Sequence, residues 1–109
     1  MMSKIKFTNR QGLELAGSLE FPISTPPRAF ALFAHCFSCT RHIRAAVYIS
    51  RAMAEQGIAV LRFDFTGLGE SEGDFADSSF SANVDDLLSA ADWLAANYRA
   101  PELLVGHSL

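Results

Sequence analysis

Apolar residues in this 109-residue chain fall into period-two stretches, unbroken runs and helical spacings, and each kind predicts an element. From Ser3 to Phe7 polar and apolar residues alternate. After the turn-forming run Asn9-Arg10-Gln11-Gly12, Leu13, Leu15, Gly17, Leu19 and Phe21 lie on one side of a period-two pattern. This predicts an antiparallel hairpin with one buried face. Pro22, Pro26 and Pro27 interrupt it with a stiff loop, after which Ala29 to Ala34 is apolar at every position. A strand apolar on both faces belongs inside a parallel sheet covered on both sides by helices. Ile58 to Phe63 is read as the next buried strand.

Between those strands a helix is predicted from about Ile43 to Gln56, with Ala46, Ile49 and Met53 on one side and Gly57 where a C-terminal cap belongs. The second helix is more clearly marked. Phe80, Val84, Leu87, Leu88, Ala91, Leu94, Ala95 and Tyr98 share one face, while Asn83, Asp85, Asp86, Ser89, Asp92 and Asn97 lie mostly elsewhere. Ser78 or Ser79 can cap its start, Asp85 and Asp86 sit near its positive end, and Pro101 forbids continuation. Glu102 to Val105 predicts a fifth strand. The expected order is an antiparallel β1-β2 pair followed by βαβαβ, an α/β fold in a single domain over residues 1–109. It ends at the carboxyl edge of a strand, where open parallel sheets bind ligands.

Half the residues are hydrophobic, enough for the core of one small domain. A net charge of −3 without any Lys/Arg cluster gives no footprint for nucleic acid or an anionic membrane. No apolar run approaches the roughly 20 residues that span a bilayer, and the N-terminus lacks the apolar core of a signal peptide, so a cytoplasmic location is expected. Cys36 and Cys39 are too few for a secreted disulfide framework and suit a reducing compartment.

The chemistry concentrates at the end of the chain, where Leu103-Leu104-Val105 feeds Gly106-His107-Ser108-Leu109. A strand, a glycine and a serine on a sharp turn begin a nucleophile elbow, cut here after its fourth position. Cys36-Phe37-Ser38-Cys39 fits a C-x-x-C dithiol ahead of a helix, and a redox protein using that pair is one alternative; the plainer reading is a reduced pair in a loop. His35, Cys36, Cys39 and His42 lie too close in sequence for a tetrahedral zinc site, so no metal is expected. Gly67, Gly69 and Gly73 have the wrong spacing for a dinucleotide loop, and Glu70, Glu72 and Asp74 would repel a pyrophosphate, so no cofactor is expected. Asp85, Asp86 and Asp92 read as a solvated helix face, and Trp93 and Tyr98 as packing residues.

Three segments together carry a resemblance: His35-Cys36-Phe37 after the third strand, Asp64-Phe65-Thr66-Gly67-Leu68-Gly69-Glu70-Ser71 after the fourth, and Gly106-His107-Ser108-Leu109 after the fifth. In that order the chain resembles the N-terminal portion of the α/β-hydrolase family, truncated at the elbow. Ala34 to Cys39 and Arg62 to Gly69 are also similar to the hydrolase half of bacterial proteins in which such a domain is fused to an OsmC-like domain. The resemblance implies an esterase-like acyl hydrolase working on a small acyl or ester substrate, with Ser108 as nucleophile. It also implies an oxyanion hole made by the backbone N–H groups of Leu109 and Phe37, with Cys36 replacing the more usual glycine. The Asp64 to Ser71 loop would turn the chain beside the site. In that family the acid and histidine of the triad follow the serine, so His35, His42 and His107 are not candidates and the piece alone is expected to be inactive. A further alternative is a non-catalytic binding or docking module for a fused OsmC-like partner.

Overall fold

The computed structural model describes residues 1–35, 39–77 and 79–107. β1 (Met2–Thr8) and β2 (Glu14–Glu20) form the expected hairpin, in register from Met2 opposite Glu20 to Thr8 opposite Glu14. Asn9 builds its turn: the side-chain oxygen accepts the N–H groups of Gln11 and Leu13 at 3.0 and 2.9 Å, and Gly12 takes φ +82°. Then follow β3 (Ala29–Ala34), α1 (Arg44–Glu55), β4 (Ile58–Phe63), a 3-10 turn at Phe75–Asp77, α2 (Phe80–Asn97) and β5 (Leu103–Gly106). The sheet order is β1-β2-β4-β3-β5, with β3 parallel to both β4 and β5 and β2 antiparallel to β4. The α/β class is therefore as expected.

The unbroken apolar runs are explained by two cores. Phe30, Leu32, Ala59, Leu61 and Phe63 face one way, with Leu15, Leu19 and, from α2, Ala90 and Leu94. Ala31, Phe33 and Val60 face the other way against Ala46 of α1, with Met53 and Val105 packed on them. Each large apolar side chain removed from water contributes roughly 1.5–3 kcal/mol. Alternation along β3 and β4 thus holds one helix on each side of the sheet. Ser79 caps α2 by accepting the Ala82 N–H at 3.1 Å, and Gly57, with φ +87°, turns the chain out of α1. Among the described residues no helix is long and apolar enough to cross a membrane.

Three expectations are corrected. β2 is buried on both faces rather than one, because it lies between β1 and β4 and its polar side, Ser18 and Glu20, is covered by Arg41 and Arg62. In α1 the inward residues are Ala46, Ser50 and Ala54, while Ile49 is at the surface. In α2 the face is rotated: Asn83, Asp86 and Ser89 are buried, whereas Phe80, Val84, Leu88 and Tyr98 are exposed. Asp86 turns inward because the hairpin turn and the loop after β4 both donate to it. β5 is an edge strand with Leu104 66% exposed. Leu87, Leu88 and Ala91 of α2 line a shallow apolar groove against its Leu103 and Leu104.

Candidate active site

Because β3, β4 and β5 are parallel, their following loops share one rim. Gly106 is in register with Ala34, and the next residue, His107, donates its backbone N–H to the Ala34 carbonyl at 3.0 Å. The end of β5 is thereby tied to the root of the loop after β3. Ser108, Phe37 and Leu109, the residues assigned to nucleophile and oxyanion hole, lie outside the described residues, as does Cys36. His107 turns its ring onto Phe33, with centroids 6.5 Å apart and planes at 27°, on the α1 side of the sheet. Gly106 is not forced by crowding: a Cβ there would meet nothing within 4 Å among the described residues.

The loop between β3 and α1 is held at both ends. His35 is buried with its ring edge-on to Phe65 at 5.0 Å. Arg41, 1% exposed, is gripped through backbone and side chain alike. Its N–H donates to Asp64 Oδ1 at 2.7 Å and its carbonyl accepts Arg62 Nε at 2.9 Å. The guanidinium forks to three acceptors: Nε to Ser18 Oγ at 2.9 Å, Nη1 to Asp64 Oδ2, and Nη2 to Glu70 Oε1 at 2.7 Å. Cys39, within the same loop, is disulfide-bonded, which corrects its reading as a reduced thiol. His42 is half-exposed, 4.0 Å from Glu70.

The loop after β4 wraps around the Asp64 carboxylate. Asp64 is fully buried, and its Oδ2 also accepts the Glu70 N–H at 3.0 Å. Such a tight wrap leaves no room for a side chain on its inside. Gly69, with φ +52°, would drive a Cβ into that carboxylate, and Gly67, with φ +78°, would drive one into the backbone of Phe75. The Ser71 hydroxyl closes the loop, donating to the Asp64 carbonyl at 2.6 Å and accepting the Ala16 N–H at 2.9 Å. The N–H groups of Gly67, Leu68, Glu70 and Ser71 are all taken by acceptors inside the loop, so none of these four is available to cradle a phosphate. The Asp64 to Ser71 segment is thus a turn after β4 that is closed on itself around Asp64.

Arg41 and Asp64 escaped identification as a pair in sequence. A signal existed: Arg62 interrupts an otherwise apolar strand, and Ser18 and Glu20 alternate on one side of β2, so a buried polar seam between β2 and β4 was called for. Arg62 Nη1 meets Glu20 Oε1 across that seam at 3.4 Å. Burial pulls the Arg62 guanidinium below its ordinary pKa, with Glu20 opposing the shift. Glu70, at the solvent end, is held below its ordinary value by the hydrogen bond and charge of Arg41. A concavity of about 540 Å³ between Glu20–Thr25 and Arg51–Glu55 opens at the opposite rim, with Glu20 in its lining and Arg41, Asp64 and Glu70 outside it.

Residues 25–109 match the family described as serine aminopeptidase, S33 (Hydrolase_4). The chain belongs to this α/β-hydrolase family. Among solved α/β hydrolases, the esterase domain of a Rhodothermus marinus protein is 46% identical over 100% of this chain and 41% of its own, with a TM-score of 0.78. XC6422 from Xanthomonas campestris, described as an α/β serine hydrolase without lid, is 25% identical over 98% of this chain and 50% of its own, with a TM-score of 0.82. The rat mitochondrial palmitoyl-protein thioesterase ABHD10 is 38% identical over 66 residues, 61% of this chain. The chain spans 41% of the Rhodothermus domain and 21% of the rat protein. Ala34-His35-Cys36-Phe37, Asp64 to Ser71 and Gly106 to Leu109 all fall inside the family match.

Proposed function

We propose that this α/β hydrolase splits small acyl esters through an acyl-enzyme on Ser108. The hydroxyl oxygen attacks the acyl carbon, its proton passes to a histidine, and the alcohol leaves with that proton. Water then repeats the sequence on the acyl-enzyme. The backbone N–H groups of Leu109 and Phe37 would hold the negative charge of each tetrahedral intermediate, about 3 kcal/mol per donor in comparable acyl transfer. Acid and base come, in this reading, from residues that follow Leu109. Of the described histidines, His35 packs on Phe65, His107 on Phe33, and His42 faces Glu70.

The observation that carries the reading is the register of β5 on β3. With His107 bonded to the Ala34 carbonyl, the end of β5 lies beside the start of the loop after β3. The described activities of the relatives, aminopeptidase, esterase and thioesterase, share the transfer of an acyl group to water. An ester is favoured by the 46% identity to the esterase domain. The test is labelling with a fluorophosphonate probe, in the protein that carries this chain together with the residues after Leu109. Label that vanishes in Ser108→Ala supports the nucleophile, and undiminished label removes it.

A further inference from the structure

We propose that the concavity between the loop after β2 and the end of α1 binds a small organic cation, an ammonium group on an apolar body, with the Glu20 carboxylate as its counter-ion. The site uses no residue of the serine reading above, so each stands or falls alone. At about 540 Å³ the space is of the size that holds small molecules. Phe21, Pro22, Ile23 and Ala54 give it apolar walls, and Arg51 and Glu55 line it from α1. Glu20 supplies a buried charge to the lining, whereas Arg51 and Glu55 are exposed.

That carboxylate is loosely held. Its side chain is 7% exposed, yet each oxygen has its cation at 3.4 Å: Oε1 faces Arg62 Nη1, and Oε2 faces the Met1 ammonium. Charge-assisted bonds close to about 2.7–2.9 Å, so neither contact is a short one. The Met1 ammonium is 75% exposed and already donates to the Phe21 carbonyl at 2.9 Å, so water screens its hold on Glu20. A carboxylate taken out of water gains from each further donor that reaches it, and an ammonium brings three. Charge then selects the ligand. An anion would meet the carboxylates of Glu20 and Glu55 in the same lining. Arg51 works the other way: its charge reaches the Glu20–Arg62 pair, adding to the burial that lowers the Arg62 pKa, and so it weakens a cation held there.

The experiment titrates three probes of one shape, benzylammonium, benzyl alcohol and benzoate, into the protein that carries this chain, following the amide NMR signals of Phe21, Ile23 and Ala54 at neutral pH. Benzylammonium is expected to shift these signals saturably, with a Kd on the order of 1 mM for a ligand of this size. Benzyl alcohol should bind about fivefold more weakly, and benzoate more weakly still. Equal affinities for the three probes would mark an adventitious apolar surface and overturn the proposal, as would shifts confined to other residues or no shift at all. In Glu20→Gln, which keeps the shape and removes the charge, benzylammonium should fall to the level of benzyl alcohol; binding equal to wild type overturns the proposal. If Glu20→Gln does not fold, Arg51→Gln decides it, since that side chain is exposed and its loss removes an opposing charge. Benzylammonium bound about two- to threefold more tightly, with benzyl alcohol unchanged, supports the proposal, and unchanged or weaker binding overturns it. Fluorophosphonate labelling at Ser108 reports on the serine reading and is independent of either result.

Discussion

Asn9 Nδ2 donates to Asp86 Oδ1 at 3.0 Å, joining the hairpin turn to the middle of α2 across 77 residues of sequence. Asp86 also accepts the Thr66 N–H and hydroxyl at 2.8 and 2.7 Å, so one buried carboxylate ties three segments together. Removing it as Asp86→Ala orphans three donors and is expected to cost about 3 kcal/mol in urea unfolding. Asn9→Ala is expected to cost about 1–2 kcal/mol, and the double variant less than the sum by at least about 0.5 kcal/mol. Simple additivity would show that the two side chains do not support one another.

Gly69 and Gly12 both take positive φ, but only Gly69 is crowded. A Cβ at Gly12 meets nothing within 4 Å, whereas at Gly69 it collides with the Asp64 carboxylate. Gly12→Ala should therefore cost only the backbone preference, about 1 kcal/mol. Gly69→Ala should cost about 3 kcal/mol or more, because the carboxylate that holds Arg41 has to move. Equal losses in thermal unfolding would mean that the loop does not depend on the wrap around Asp64.

Glu70 gives the protein an acid-sensitive contact. Its carboxyl titrates below the ordinary 4.5 because Arg41 stabilises the charged form. The contribution to stability is complete above that ordinary value and is lost as pH falls through the lower, folded value. Glu70→Gln should lower the unfolding midpoint slightly at neutral pH, and the gap to wild type should close as the pH falls through the folded value. The difference is small, since the group is largely exposed to solvent. A gap that widens on acidification would contradict the pairing.

Glu20 faces Arg62 inside the sheet, with both side chains under a tenth exposed. Glu20→Ala leaves that guanidinium without its carboxylate, and about 3 kcal/mol of stability should go with it. Replacing the pair together, as Glu20→Leu with Arg62→Met, should cost less than the single change, because no uncompensated charge remains. A double variant worse than Glu20→Ala would show that the bond from Arg62 to the Arg41 carbonyl matters more than the ion pair.

Much of the fold could be read from the residues. Ala29 to Ala34 and Ile58 to Phe63 announced interior parallel strands, and Gly57 and Ser79 marked helix ends where they occur. Periodicity failed where burial is polar. Asp86, Asn83 and Ser89 were assigned to solvent because a hydrophobicity pattern sees a carboxylate only as polar, and cannot see the amides of distant segments that satisfy it. The same blindness hid Arg41, whose partners come from β2, β4 and the loop after β4, all remote in sequence. The candidate site was legible as motif order alone. Its nucleophile and oxyanion residues, Ser108, Leu109 and Phe37, lie outside the described residues, and what the structure adds is the framework that brings their neighbours together.

The strand order β1-β2-β4-β3-β5 has a consequence for biosynthesis. β4 emerges from the ribosome after β3, yet it sits between β2 and β3, so hairpin and third strand wait for a partner that has not been made. Until residue 63 is out, the inner edges of β2 and β3 are open to any passing strand. Nascent-chain chaperones should engage this segment early and release it once β4 has inserted.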